Sequence, residues 1–413
     1  MSARQVAEHV NAARLLESID ALAAFGARGD GGVNRPALSE CDIEARRFLI
    51  ERARALGCSV SVDACANLFF RREGEGPSTL APVMTGSHID TQPSGGKLDG
   101  CYGVLAGFEV LAALNDANVR TRRPLEIAIW TNEEGTRFSP GAMGSSAFVE
   151  PSRMTRYADA RDADGITLSA ALNAHRQALP DLAERDASER AHALVELHIE
   201  QGPQLENADV PLAVVSGIQG VRWYAFHCKG TAAHAGTTPM PLRRDAMTLA
   251  IALRRELDAV AHELGRDDTR VTFGRWSIEP NSINTIPSAV TFTVDFRHPD
   301  ASVLAAFDEH AHAIAQRHDA PIQTLFAHAP VAFDASVLSR IDEACRALDA
   351  RALTLTSGAF HDAMYLAQHC PSGMIFVPSI NGISHNPAEA TNAEHLVLGA
   401  RALAHCLTAL CND

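Results

Sequence analysis

The segment Ile127-Ala-Ile-Trp-Thr-Asn-Glu-Glu-Gly135 constrains this chain more than any other. An apolar, β-prone run stops, and two carboxylates follow at once before a glycine. Neighbouring carboxylates repel unless something positive holds them, and a metal ion is the usual answer. The flanking pattern says where such a site would sit. Leu80-Ala-Pro-Val-Met-Thr-Gly86 reads as a short buried strand leading into Ser-His-Ile-Asp, residues 103–114 read as a helix, and 125–131 as the next strand. Strand, loop, helix, strand is α/β organisation, and open α/β sheets place ligands just beyond their strand ends.

At 413 residues the chain exceeds the usual size of one hydrophobic core, so two domains are expected. Residues 8–25 and 40–56 carry helical periodicity, with Ser39 as a cap for the second. Residues 150–190 read as surface helices, and Leu194-Val-Glu-Leu-His-Ile-Glu200 as another strand ending in polar residues. From about Val214 the pattern changes. Residues 221–229 and 289–296 alternate like half-exposed strands, with helices over 243–264 and 301–317. From Val331 the signals resemble the first half again. The expected organisation is an α/β catalytic domain in two segments, 1–213 and 331–413, with a mixed central sheet flanked by helices. A smaller α+β domain, 214–330, is inserted between them. Arg72-Glu-Gly-Glu-Gly-Pro-Ser78 is the expected exposed turn.

A formal charge of −14 argues against nucleic acid or an anionic membrane as partner. No apolar run reaches the ~18 residues of a membrane span. The polar N-terminus is unlike a signal peptide, and nine scattered cysteines without a Cys-x-x-Cys pair suit a reduced, cytoplasmic chain. Cys101, beside a glycine-dense loop, reads as small, buried and inert.

Further ligand types gather at strand ends. His88 and Asp90 are two apart, so in an extended segment they share a face, and metal-bound histidines commonly donate their second N–H to a carboxylate. Asp99 lies in Pro93-Ser-Gly-Gly-Lys-Leu-Asp-Gly-Cys-Tyr-Gly103, where glycines permit close approach. Its two oxygens could bridge two metals ~3.5–4 Å apart. The glutamate doublet can divide two tasks: one carboxylate binds a metal, and the other stays unligated as a general base. His198 ends an apolar strand, and His385 sits in Gly-Ile-Ser-His-Asn-Pro. Singly, each is more often a surface pair, a turn aspartate or an incidental histidine. Two aspartates, two glutamates and three histidines together favour a metal site.

In that order the chain resembles the M20-type dinuclear metallohydrolases. Several segments resemble the amidase, hydantoinase/carbamoylase branch: Gly86-Ser-His-Ile-Asp-Thr, Asn132-Glu-Glu-Gly-Thr-Arg-Phe, Glu196-Leu-His-Ile-Glu-Gln-Gly-Pro, His234-Ala-Gly-Thr-Thr-Pro-Met, Asn281-Ser-Ile-Asn-Thr-Ile-Pro, Asp295-Phe-Arg297 and Ser384-His-Asn-Pro-Ala-Glu389. The similarity spans roughly residues 10–410. It implies that His88, Asp99 and His198 hold one divalent metal and that Asp99, Glu134 and His385 hold another. Asp90 would orient His88, and Glu133 would be the general base. Nitrogen and oxygen donors without thiolate suit zinc, but also manganese, cobalt or nickel. Related peptidases usually carry a carboxylate where this chain has His198, which favours the ureido-hydrolase branch.

On the substrate side the resemblance gives His234, reaching the site often from a partner subunit, and Asn284 as oxyanion donors. Arg297 would grip a substrate carboxylate, as a guanidinium fork suits, against the bland reading of a surface ion pair. Gln201 and Gln219 match polar contact positions. Ser357-Gly-Ala-Phe-His-Asp-Ala363 resembles a motif often written Ser-Gly-Ala-Gly-His-Asp-Ala. Phe360 replaces its third small residue, which removes pocket space unless the ring packs against Tyr365 or Phe376 instead. The expected activity is hydrolysis of a linear ureido or amide bond, best in N-carbamoyl L-amino acids, by a homodimer joined through the inserted domain and acting on a small anionic ureido substrate. Allantoate or ureidoglycolate hydrolysis, an N-acyl amino acid amidase or peptidase, and a non-catalytic metal-stabilised binding module are the alternatives.

Overall fold

The computed structural model describes residues 2–185, 189–265 and 268–413. The fold is mixed α/β: a large mixed sheet flanked by helices, and a second, smaller sheet. The chain divides into two compact units, residues 1–216 with 332–413, and residues 217–331.

The centre of the large sheet is a parallel run. Strand Ser372–Val377 pairs with Ala193–Ile199, that strand with Val83–His88, and that one with Leu125–Trp130. All four are buried along their whole length. Continuous Val, Ile and Leu runs covered on both faces are what a parallel arrangement requires. Strand Leu68–Arg72 is antiparallel to Leu125–Trp130, and Ser59–Val62 antiparallel to Leu68–Arg72; on the other side Leu212–Ile218 runs antiparallel to Ser372–Val377. Register is the important point. His88 lies opposite Trp130, and His198 opposite Phe376, so the four parallel strands end level with one another and feed their loops to one rim.

Helix Cys101–Asp116 is buried on every side against this sheet. Its glycines allow that closeness: a Cβ on Gly103 would lie 2.2 Å from the Leu197 carbonyl oxygen. The helix begins two residues earlier than its apolar periodicity suggests. Helix Glu40–Ala55 starts at the expected cap, with Ser39 accepting from the Asp42 N–H. The stretch 8–25 resolves into two helices, Ala3–Glu8 and Ala12–Ala23, each with its own side-chain cap. The 150–190 region holds helices Met154–Tyr157 and Leu168–Ala178 and a short strand, Ala183–Glu184. The 72–78 turn is less free than expected, because Arg72 is buried and the N–H groups of Glu75 and Gly76 donate to the carbonyls of Thr121 and Arg122.

The second unit is an antiparallel sheet. Strand Gly220–Lys229 pairs with Ala289–His298 over ten residues and with Ile322–His328 on its other edge. Ala289–His298 alternates between partly and fully buried positions, the signature of a sheet covered on one face. Helices Ala246–Gly265 and Ala301–Arg317 share its apolar core through Leu253, Leu257, Phe307 and Ile314. Among the described residues no helix is long and apolar enough to cross a membrane.

Candidate metal centre

Four strand ends supply the chemistry. His88 is the last residue of its strand, Glu133 and Glu134 follow Trp130, His198 is the penultimate residue of Ala193–Ile199, and His385 lies in the loop after Val377. Asp99 sits before helix Cys101–Asp116, next to Gly100 at φ 65°. A Cβ on Gly100 would lie 2.4 Å from His88 Nε2, so glycine is what lets the Asp99 turn close over the histidine.

Asp99 stands between two groups of donors. Its Oδ1 lies 3.2 Å from His198 Nε2 and 3.7 Å from His88 Nε2. Its Oδ2 lies 3.1 Å from His385 Nε2, which is 3.6 Å from Glu134 Oε2. Each group brings its donor atoms within 4.8 Å of one another. Glu133 stands beside the first group, with Oε2 3.6 Å from His88 Nε2.

The tautomers are fixed from behind. The main-chain oxygen of Asp90 faces His88 Nδ1 at 2.9 Å, and that of Ile199 faces His198 Nδ1 at 2.9 Å. Carbonyls only accept, so both Nδ1 atoms carry hydrogen and both Nε2 lone pairs point inward. The Gly100 N–H also donates to His198 Nε2, at 3.1 Å. Burial disfavours the charged form of His198, yet Asp99 raises its pKa to about 9. That value requires a proton on Nε2, where the fixed Gly100 N–H requires a lone pair. The lone pair prevails, because a backbone donor cannot be rotated away. Burial lowers His88 to about 4, so its imidazole is neutral.

The carboxylates lead to the same conclusion. Burial, then the negative charge of Asp99, raises Glu134 to about 8. Burial, then Asp362 and Glu134, holds Glu133 well above the usual carboxylate range. Inward lone pairs on two imidazoles, with buried carboxylates that destabilise one another's charge, form a donor set suited to a metal ion.

The role expected for Asp90 differs in the structure. Its carboxylate is 3.9 Å from His88 Nδ1 and instead accepts the main-chain N–H groups of Glu133 (3.2 Å) and Glu134 (3.1 Å). The Asp90 carbonyl orients His88, while its side chain presents the glutamate doublet as one unit. Gln201, at φ 59°, donates Nε2 to Asp99 Oδ2 at 3.0 Å. It therefore touches the shared carboxylate itself.

The remaining expected residues belong to the 217–331 unit, Phe360 excepted. The Gly236 N–H donates to His234 Nδ1 at 3.0 Å, so the exposed Nε2 carries hydrogen and is a donor. A bridge between His234 and Thr285, and the Ala235 N–H to Asn284 carbonyl bond, bring His234 and Asn284 together on adjoining loops. Arg297 forks onto Asp295, Nε to Oδ1 at 3.0 Å and Nη2 to Oδ2 at 2.8 Å. Gln219 is buried. Phe360 is half-buried, and the next two residues, His361 and Asp362, are fully buried.

Several contributing residues carry little signal in the sequence. Gln92 holds both oxygens of Glu134, through its N–H at 3.1 Å and Nε2 at 2.6 Å. Glu196 forms a buried cluster with His198 and His361. Its oxygens are taken by Ser87 Oγ and the Ala363 N–H, and the His361 ring packs edge-on to His198 at 4.5 Å. This cluster braces His198. Cys101 is buried, with its sulfur 3.0 Å from Arg35 Nη2, and burial raises its thiol to about 11.

Residues 84–409 match the family described as Peptidase family M20/M25/M40. The chain is 38% identical over 407 residues to an N-carbamoyl-L-amino acid amidohydrolase of Geobacillus stearothermophilus, covering 95% of this chain and 97% of that one. It is 35% identical over 395 residues to the allantoate amidohydrolase of Escherichia coli (strain K12), covering 94% and 95%. A solved structure of an amidase of the hydantoinase/carbamoylase family from Burkholderia multivorans superposes with a TM-score of 0.89 at 40% identity, covering 98% of both chains.

Proposed function

The chain belongs to peptidase family M20/M25/M40, and from that premise we propose that it is a metal-dependent amidohydrolase that cleaves the linear ureido bond of N-carbamoyl L-amino acids. The products would be the amino acid, ammonia and carbon dioxide. The observation that carries this reading is the division of Asp99, one oxygen to each donor group, with Glu133 beside them and outside both.

His88, Asp99 and His198 would hold one divalent ion, and Asp99, Glu134 and His385 a second. Zinc fits the nitrogen and oxygen donors, as do manganese, cobalt and nickel. Such ions, when bound, polarise a carbonyl and lower the pKa of water. Glu133 takes the proton of the attacking water and returns it to the leaving nitrogen. Asp90 keeps that carboxylate in place through the doublet's main chain. His234 Nε2–H and the Asn284 amide donate to the tetrahedral oxyanion, each worth about 3 kcal/mol. Arg297 pairs with the substrate carboxylate, which must compete with Asp295 for the guanidinium. We further infer a homodimer joined through the inserted unit, with His234 serving the neighbouring subunit's centre.

Allantoate hydrolysis is the second reading, favoured by the 35% identity to the Escherichia coli enzyme. Phe360 speaks against it, since a benzyl group where the motif is commonly glycine leaves less room for a second ureido arm. The deciding experiment is ammonia release by metal-loaded protein from N-carbamoyl L-amino acids, N-carbamoyl-β-alanine, allantoate, ureidoglycolate and an N-acyl amino acid. Turnover of allantoate alone would reject the carbamoylase reading. Turnover of the acyl compound alone would reject the ureido class.

A further inference from the structure

Glu389 is buried, at 5% exposure, five residues after Ser384 and far in sequence from Asp99. Its Oε1 accepts two successive main-chain N–H groups, Leu98 at 2.9 Å and Asp99 at 3.1 Å. Its Oε2 accepts the Ser384 hydroxyl at 2.8 Å. Ser384 immediately precedes His385, so one carboxylate joins the turn carrying Asp99 to the loop carrying His385. The Ser384 hydroxyl also lies 3.4 Å from Asp99 Oδ2, but it has one hydrogen, and the shorter contact to Glu389 takes it.

Two further features support a dedicated seat. A Cβ on Gly96 would lie 2.3 Å from Glu389 Oε1, so the glycine-dense loop leaves a recess that the carboxylate fills. His385 sits at φ 55°, a left-handed conformation that non-glycine residues seldom adopt. Such a conformation persists only where its surroundings hold it. The His385 side chain is about half exposed, at 49%, so packing does little to fix it.

We propose that Glu389 is a positioning residue that clamps the Asp99 turn to the His385 loop and so sets the cation-binding geometry of the Asp99–Glu134–His385 group. This rests on the metal-ligand assignment made above. The clamp acts on the distance between His385 and Asp99, now 3.1 Å. His88 and His198 depend on it less, because the carbonyls of Asp90 and Ile199 hold their rings directly.

The test is titration of metal-free full-length protein with zinc or cobalt, for wild type, Glu389→Ala, Glu389→Gln and Ser384→Ala. Wild type should take two equivalents per chain. Glu389→Ala should bind one of them ~10–100-fold more weakly, the loss usual for a partner that orients a ligand, with the other within about 3-fold. Glu389→Gln keeps an oxygen for the Leu98 and Asp99 N–H groups and should fall between. In cobalt protein the absorption bands of only one equivalent should shift. If Glu389→Ala does not fold, Ser384→Ala decides, since it cuts the link to the His385 loop, keeps the Glu389 bonds to the Leu98 and Asp99 N–H groups, and should weaken the same equivalent. Unchanged binding of both equivalents, or equal weakening of both as a general structural defect would give, overturns the clamp while leaving the ligand assignment standing. Wild-type protein that takes up no metal overturns both.

Discussion

Gly100→Ala tests the centre at its tightest point. The added Cβ would lie 2.4 Å from His88 Nε2 and 2.5 Å from Cδ2 and Cε1. Comfortable separation for such atoms is ~3.5 Å, so the ring must retreat by about 1 Å. It has little room, since His88 is buried and its Nδ1 is held by the Asp90 carbonyl. The backbone adds a second cost: Gly100 has φ 65°, worth about 1–2 kcal/mol against an L side chain. With about 1–3 kcal/mol for overpacking, the variant should lose about 2–5 kcal/mol of stability. The larger effect should fall on the metal. Ligand distances tolerate deviations of ~0.2 Å, so a ~1 Å displacement removes His88 from its ion. Metal affinity at that group should drop at least ~100-fold, and kcat/KM by at least as much. Gly57→Ala separates the two costs, because Gly57 has φ 82° but nothing within 4 Å of an added methyl. It should lose only the backbone part and bind metal normally. Thermal unfolding and competition against a chromophoric chelator measure both quantities. A Gly100→Ala protein with wild-type metal affinity would refute the close-approach argument, because the turn would then have moved without disturbing His88.

Glu133→Gln should keep metal uptake and lose ~10²–10⁴-fold in turnover; unchanged ammonia release with full metal content would remove Glu133 from the base role. Arg297→Ala should raise KM for carboxylated substrates by roughly 10–100-fold, the worth of about 1.5–3 kcal/mol in a charged hydrogen bond, and leave a neutral amide analogue unaffected; equal damage to both would reject carboxylate recognition. Mixing inactive His234→Ala with inactive Glu133→Gln under demonstrated subunit exchange should restore activity, and its absence would place His234 in its own subunit's centre. His175 tests pH linkage away from the metal. Burial and then Arg46 lower it from 6.5 to about 3, so between those values the unfolded chain takes up a proton that the folded chain refuses. The neutral histidine's contribution is therefore fully present above about pH 6.5 and is lost as pH falls toward about 3, by at most about 5 kcal/mol. His175→Gln should flatten that acid limb by about 2–3 kcal/mol between about pH 7 and about pH 4.5 in urea unfolding; an unchanged slope would show that His175 is not neutral in the folded state.

What the sequence makes legible follows the physics of each signal. The parallel strands are readable because burial on both faces demands unbroken apolar runs, and their ends are readable because polar residues appear there abruptly. His88, Glu133, Glu134 and His198 stand at or just past those ends, Asp99 and His385 lie in loops beyond them, and the structure gathers the set around Asp99. Helix boundaries are less legible where capping chemistry is weak: helix Cys101–Asp116 has no side-chain N-cap, and its start is set by the turn that carries Asp99. The half-exposed strands of the smaller unit are visible in their alternation, but Trp276–Glu279 and Arg270–Thr272 are too short to signal themselves.

Residues that position the ligands are hidden for a different reason. Asp90 is visible as a partner two residues from His88, and period-two geometry pairs the side chains. In the structure the chain turns after His88, so the carbonyl of Asp90 meets the imidazole and the carboxylate swings to the Glu133 and Glu134 amides. Gln92 and Glu389 act in the same way, through backbone N–H groups that every residue but proline possesses and that leave no mark on composition or spacing. A ligand is legible because few side chains can bind a cation. A clamp on main-chain amides becomes legible only once the fold brings distant loops together, and for that reason the residues that set the geometry of this centre emerge from its three-dimensional structure.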